Sequence, residues 1–237
     1  REDNSVSNND VDEIFIEVEK YCKVHVRRHP YTNAKFSLLF FHGNGEIVSD
    51  YDGLARHFNS LGCELVVCDF RGYGKSNGIP TLRNIMVDAC TIYDFLKENE
   101  KIKKKVCVMG RSIGSAPAIN LCAKHPEISC CVIESGFADP ILLVERRGMS
   151  IKSITSDENK LFNNCEKIRL VKCPILFMHG EDDYLVILQE ARLNYSNAGS
   201  KHKVLDIYKG VGHNDIMMAK DNAYFNSLNG FFDSIFC

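Results

Sequence analysis

From Phe36 onward the chain alternates short, continuously apolar runs with stretches of helical spacing, and this rhythm narrows the fold more than any other feature. Phe36 to Phe41 and Cys63 to Cys68 are the kind of run that strands buried on both faces of a sheet require. Between them, Tyr51 to Leu61 repeats its apolar residues at helical intervals. The same spacing predicts helices over Ile85 to Leu96, Ile113 to Lys124 and Leu185 to Tyr195, and a terminal helix over Ile216 to Phe236. Strands fall at Val106 to Met109, Cys130 to Ile133, Ile175 to Met178 and Lys203 to Tyr208. Earlier in the chain, Ile14 to Glu19 and Cys22 to Arg27 alternate apolar and polar residues, as two antiparallel strands do. Strands linked through helices imply right-handed crossovers. The expected fold is therefore α/β, an eight-stranded, mostly parallel sheet with helices on both faces. One domain is expected over 13–237, after a polar, Asn-rich flexible segment 1–12. An irregular stretch from Gly136 to Lys172 is expected to hold a short lid, at about 137–172.

Composition removes several classes of function. A length of 237 residues with 45% hydrophobic content suits one domain with a substantial core. The net charge of −2 gives no footprint for nucleic acid or an anionic membrane. No apolar run approaches the ~20 residues needed to cross a bilayer, and no signal peptide is visible. Most of the eleven cysteines sit inside apolar runs, without C-x-x-C spacing or alternation with histidine. They read as buried free thiols of a reducing compartment, and their odd number argues against a complete disulfide framework. The sequence opens at Arg1 rather than Met and reads as trimmed, so a targeting or lipid-anchor segment could lie outside it. The expected location is intracellular: cytoplasmic, or peripheral to a membrane in the full-length protein. Oligomeric state is not legible.

The chemistry concentrates at Gly110-Arg111-Ser112-Ile113-Gly114, which follows an apolar strand and opens a helix of small residues. That context suits a nucleophile elbow, a sharp turn that exposes the serine hydroxyl above the sheet. Ile113 would then aim its backbone N–H at a developing oxyanion. Three further clusters lie after predicted strands, at the sheet edge where α/β proteins gather ligands. In His42-Gly43-Asn44-Gly45 the Asn44 N–H is the candidate second oxyanion donor, and His42 itself reads as structural. In His179-Gly180-Glu181-Asp182-Asp183, Asp183 is the preferred carboxylate to orient a histidine, with Asp182 the alternative. In Gly210-Val211-Gly212-His213-Asn214-Asp215, His213 is the candidate general base. His125 and His202 sit at predicted element edges, where exposed surface is the default. The chain order Ser112, Asp183, His213 is that of α/β-hydrolases.

With those residues in place, the sequence resembles the α/β-hydrolase superfamily from about Ile14 to Phe236. Asp69-Phe70-Arg71-Gly72-Tyr73-Gly74-Lys75-Ser76-Asn77-Gly78 resembles the family's D-x-R-G-x-G-x-S-x-G turn, a chiefly structural motif. Phe41-His42-Gly43-Asn44, the elbow, Asn164-Cys165-Glu166-Lys167-Ile168 and Gly212-His213-Asn214-Asp215 resemble the compact depalmitoylase-like α/β-hydrolase domain proteins. The segment Gly45-Glu46-Ile47-Val48 departs from that branch, and no N-terminal cysteine cluster of its membrane-anchored members is present. The resemblance implies an acyl-protein thioesterase or small-ester hydrolase. It also implies a triad of Ser112, Asp183 and His213 and an oxyanion hole of the Asn44 and Ile113 amides.

The expected function is a serine hydrolase that cleaves acyl esters or thioesters, on small molecules or proteins, through an acyl-enzyme intermediate. This chemistry requires no metal or organic cofactor. A serine peptidase or amidase is the alternative, and a non-catalytic hydrolase-fold binding protein a third reading. A haloalkane dehalogenase is excluded, because that route uses an aspartate where Ser112 stands. Within the lid, Ile141, Leu142, Leu143, Val144, Met149, Ile151 and Phe162 either line an acyl groove or pack onto the body. Arg146, Arg147 and Lys152 read first as a solvated basic face.

Overall fold

The computed structural model describes residues 11–146 and 155–236. Eight strands form one sheet: β1 Asp12–Glu19, β2 Cys22–His29, β3 Phe36–Phe41, β4 Cys63–Cys68, β5 Val106–Arg111, β6 Cys130–Glu134, β7 Ile175–Gly180 and β8 Lys203–Tyr208. Their spatial order is β1-β2-β4-β3-β5-β6-β7-β8. β1 and β2 pair antiparallel, as do β2 and β4, and every other neighbour is parallel. The expected mostly parallel, eight-stranded sheet is what the chain forms. Residues 1–10 of the expected flexible segment lie outside the described residues, and Asp12 already belongs to β1.

Every residue of β3, β4, β5 and β7 is buried, which is why these strands read as largely apolar runs, and the polar residues within β3 and β4, Ser37 and Glu64, bond to each other inside the sheet. Alternate side chains feed two cores. On one face Leu39, Phe41 and Val108 meet α2 (Leu82–Glu98) and α3 (Ser115–Lys124). On the other, Leu38, Phe40 and Met109 meet α1 (Ala55–Asn59) and α8 (Ala223–Phe236). Fully burying one such side chain stabilises the fold by about 1.5–3 kcal/mol. Helix α2 shows how sequence sets an element. Thr81 caps its start by accepting from the Asn84 N–H at 3.1 Å, and Ile85, Met86, Ala89, Ile92, Tyr93 and Leu96 form its buried stripe.

Four predicted elements differ from the structure. The terminal helix over Ile216 to Phe236 is broken: 3-10 turns at Ile216–Met218 and Lys220–Asn222 precede α8. Asp221 and Asn222 carry φ of 57° and 55°, a left-handed conformation that Asp and Asn tolerate better than most residues. The stretch Tyr51 to Leu61 is a 3-10 turn at Val48–Tyr51 followed by α1. The helix expected from Leu185 begins at Leu188 as α7 (Leu188–Asn197), because the Leu185 and Val186 amides donate to Asp183 instead. The stretch expected to be irregular, Gly136 to Lys172, contains α4 (Pro140–Arg146), α5 (Ser156–Phe162) and α6 (Asn164–Ile168).

Candidate active site

β5 delivers the serine. At Ser112 the backbone turns into the left-handed region, φ 52°, and passes through a 3-10 turn into α3. That conformation costs a residue such as serine on the order of 1–3 kcal/mol and persists only where neighbours enforce it. The flanking glycines are part of that enforcement, since they allow close packing. A Cβ on Gly110 would stand 2.2 Å from the Gly114 carbonyl oxygen, and one on Gly114 would stand 2.1 Å from that of Phe41. The turn therefore tolerates no side chain at either position, and Ser112 is left half-buried at the mouth of a cavity.

The loop after β8 brings His213 to it. The His213 Nε2 lies 3.0 Å from Ser112 Oγ, and its Nδ1 lies 2.7 Å from Asp183 Oδ2. Asp183 is buried and its other oxygen accepts from the amides of Leu185 at 2.9 Å and Val186 at 2.8 Å. Asp182, the alternative carboxylate, is exposed and its side chain is not part of this chain of contacts. Gly180 makes the approach possible, because a Cβ there would stand 2.3 Å from the Val211 carbonyl oxygen. His179 sits beneath, donating through Nε2 to the Val186 carbonyl at 2.7 Å. Burial holds its pKa below the ordinary imidazole range, so it is a neutral support for the Asp183 loop.

The loop after β3 supplies the facing wall. His42 is buried, with Nε2 3.1 Å from Asp69 Oδ1, and Asp69 also accepts from the Val48 amide at 3.0 Å. These contacts make His42 a strut for the loop that carries Asn44. The Asn44 side-chain oxygen accepts from the Tyr73 hydroxyl at 2.5 Å, while its N–H donates to no protein acceptor among the described residues. Ile113 lies in the first turn after the elbow, where an N–H has no intrahelical acceptor. Both residues line the same cavity as Ser112 and His213.

That cavity holds about 490 Å³, within the range of small-molecule sites; Leu82, Phe137, Pro140, Leu143, Leu185 and Val186 give it an apolar wall, and Asn44, Arg111, His213 and Asn214 a polar one. A smaller cavity of about 150 Å³ adjoins it through Leu82 and Ile113. Of the lid residues, Leu143 lines the site and Phe162 packs against the core. Met149, Ile151, Arg147 and Lys152 lie outside the described residues, as do the side chains of Leu142, Val144 and Arg146. Sequence reading passed over Arg111, which stands at the centre of the site's polar network. Its Nε donates to Glu134 Oε1 at 3.0 Å, Nη1 to Glu46, and Nη2 to the His213 carbonyl at 3.0 Å and Asn214 Oδ1 at 3.2 Å. No spacing rule marks such a residue, because its partners come from the end of β6 and from two loops distant in sequence.

Comparison with known proteins follows the same lines. The family described as serine aminopeptidase, S33, matches residues 32–154. The chain is 31% identical over 212 residues to the alpha/beta hydrolase domain-containing protein aho-3 of Caenorhabditis elegans, covering 86% of this chain and 59% of that protein. It is 33% identical over 202 residues to protein bem46 of Schizosaccharomyces pombe, covering 82% of this chain and 66% of that protein. The chain thus spans less than two thirds of the length of either relative. In fold it is similar to the Pyrococcus furiosus esterase Pf2001, with a TM-score of 0.79 at 19% identity over 96% of this chain and 93% of that one.

Proposed function

The chain belongs to the serine aminopeptidase S33 family of α/β-hydrolases, and from that premise we propose that it is a serine hydrolase cleaving acyl esters or thioesters. The observation that carries this reading is the unbroken run from Asp183 through His213 to Ser112, at 2.7 and 3.0 Å, opening into a cavity with an apolar wall. His213 takes the Ser112 proton as Oγ attacks the acyl carbonyl, and Asp183 stabilises the imidazolium that forms. The Asn44 and Ile113 amides receive the oxyanion. His213 then protonates the leaving alcohol or thiol. Water, activated by the same imidazole, releases the acyl group from Ser112. No step calls for a metal or organic cofactor.

Acyl substrates are favoured over peptide termini by the walls of the site. Among the described residues no carboxylate lines the Ser112 cavity, so nothing there would clamp a free amino group. No described helix is long and apolar enough to cross a membrane. The acyl group, whether on a small molecule or a protein, would lie against Leu143 and Phe137. The test is hydrolysis of a p-nitrophenyl ester series from acetyl to palmitoyl, beside matched thioesters, by wild type and Ser112→Ala. The expected outcome is turnover that Ser112→Ala reduces on the order of 10³-fold or more. Absence of turnover in folded wild type that also resists a fluorophosphonate would leave the binding-protein reading.

A further inference from the structure

We propose that Arg111 is a positioning residue that fixes the histidine loop and the oxyanion loop against the Ser112 elbow, an inference that rests on the reading of Ser112 and His213 as a reacting pair. Arg111 is the last residue of β5 and pairs in register with Glu134 on β6, so its backbone is set by the sheet rather than by a loop. It is buried, and its three guanidinium nitrogens donate to four acceptors in three directions. A planar fork with five donors suits that task, whereas a lysine ammonium is a single point charge.

The four contacts fix three parts of the site. The bond to the His213 carbonyl, with the one to the Asn214 side chain, holds the loop from which the imidazole reaches Ser112. The bond to Glu46 acts on the opposite loop. Glu46 Oε2 accepts from the Gly43 amide at 2.8 Å and from the Tyr51 hydroxyl at 2.6 Å, one residue before the Asn44 N–H. Glu134 is fully buried and anchors the third direction, with its other oxygen accepting from Tyr224 of α8 at 2.7 Å. Burial pushes the Glu134 carboxyl above its ordinary range and the neighbouring guanidinium opposes that rise.

Arg111 and Asn214 also form the partition between two cavities. On one side is the Ser112 cavity. On the other is a space of about 530 Å³ lined by Tyr51, Leu54, Ile216, Met217 and Phe225. A shorter side chain at 111 would join the two and admit water behind His213. Misplacing a reacting group by about 1 Å can cost on the order of 100-fold in rate.

The test compares Arg111→Lys and Glu46→Gln with wild type on p-nitrophenyl butyrate, with active sites counted by fluorophosphonate titration. The proton NMR signal of the His213 Nδ1–H is recorded on the same samples. Expected for Arg111→Lys is a kcat per titrated site lower on the order of 10- to 100-fold, with KM little changed. Its Nδ1–H signal should broaden through solvent exchange. Glu46→Gln, which places an amide N–H against the Gly43 amide, should show a smaller fall in kcat and keep the signal. A merely structural Arg111 would lower Tm and the count of active sites and leave kcat per site and the proton signal as in wild type. That result overturns the proposal. If Arg111→Lys does not fold, wild-type kcat per site in Glu46→Gln overturns the link to the oxyanion loop. If wild type turns over no ester and takes no fluorophosphonate, the hydrolase reading fails, and the Nδ1–H signal alone decides whether Arg111 positions His213.

Discussion

Asp183 accepts two backbone amides and an imidazole at the same time, and this separates it from Asp182 beside it. Asp182 is exposed and solvated, so its charge is screened and its side chain unheld. Asp183→Asn should therefore keep the Leu185 and Val186 contacts yet lose the correct histidine tautomer, with kcat down on the order of 10⁴-fold. Asp182→Asn should leave kcat close to wild type, and steady-state kinetics on one short ester separates the two. Sequence narrowed the carboxylate to this pair by its place after a strand, and a preference between them was as far as it went. What distinguishes them is the direction of two adjacent side chains at the end of β7, a tertiary property. Ser112 was more legible, because a glycine frame is the local signature of a turn that admits no Cβ. Arg111 was the least legible, since its partners lie 23, 65, 102 and 103 residues away.

At the scale of elements, strands were readable because burial on both faces leaves a largely apolar run, broken only by Ser37 in β3 and Glu64 in β4. Helix boundaries were not, because a side chain just outside a helix can take the amides that would otherwise open it. α7 starts late for that reason, and the broken approach to α8 has its cause in a polar Lys220-Asp221-Asn222 turn. The short helix α6, in a stretch expected to be irregular, holds an unusual residue. Lys167 is buried with Nζ 3.0 Å from the Met86 sulfur of α2, and burial, together with the Lys124 charge, lowers its pKa from 10.5 to about 7. Between those values the unfolded chain holds a proton that the folded chain has released, so this residue makes stability rise with pH from about 7 towards 10.5. Below about pH 7 both states are charged and the full burial cost is present. Lys167→Met should accordingly be more stable than wild type at pH 6, with the difference shrinking as pH rises. Urea unfolding of both proteins at pH 6, 8 and 9.5 reads this out, and a constant difference would contradict it.

At the scale of the whole molecule, the site is assembled on the carboxyl edge of a sheet whose central strands β3 to β7 are buried between two cores. β3, β5, β7 and β8 each end in a loop that contributes one part: the Asn44 amide, the Ser112 elbow, Asp183 and His213. Because the sheet fixes the starting point of each loop, residues 30 and 101 apart in sequence arrive within hydrogen-bond distance. The family match and the fold agree with a hydrolase built on this edge. The proposed reaction requires that the Ser112 oxygen carry the acyl group between its two halves. Rapid-quench peptide mapping of the chain mixed with p-nitrophenyl butyrate tests it most directly. The expected result is a burst of p-nitrophenol together with a butyryl group on the peptide containing Ser112, both missing in Ser112→Ala. Ester turnover that persists in Ser112→Ala, or an acyl group found on another residue, would contradict it.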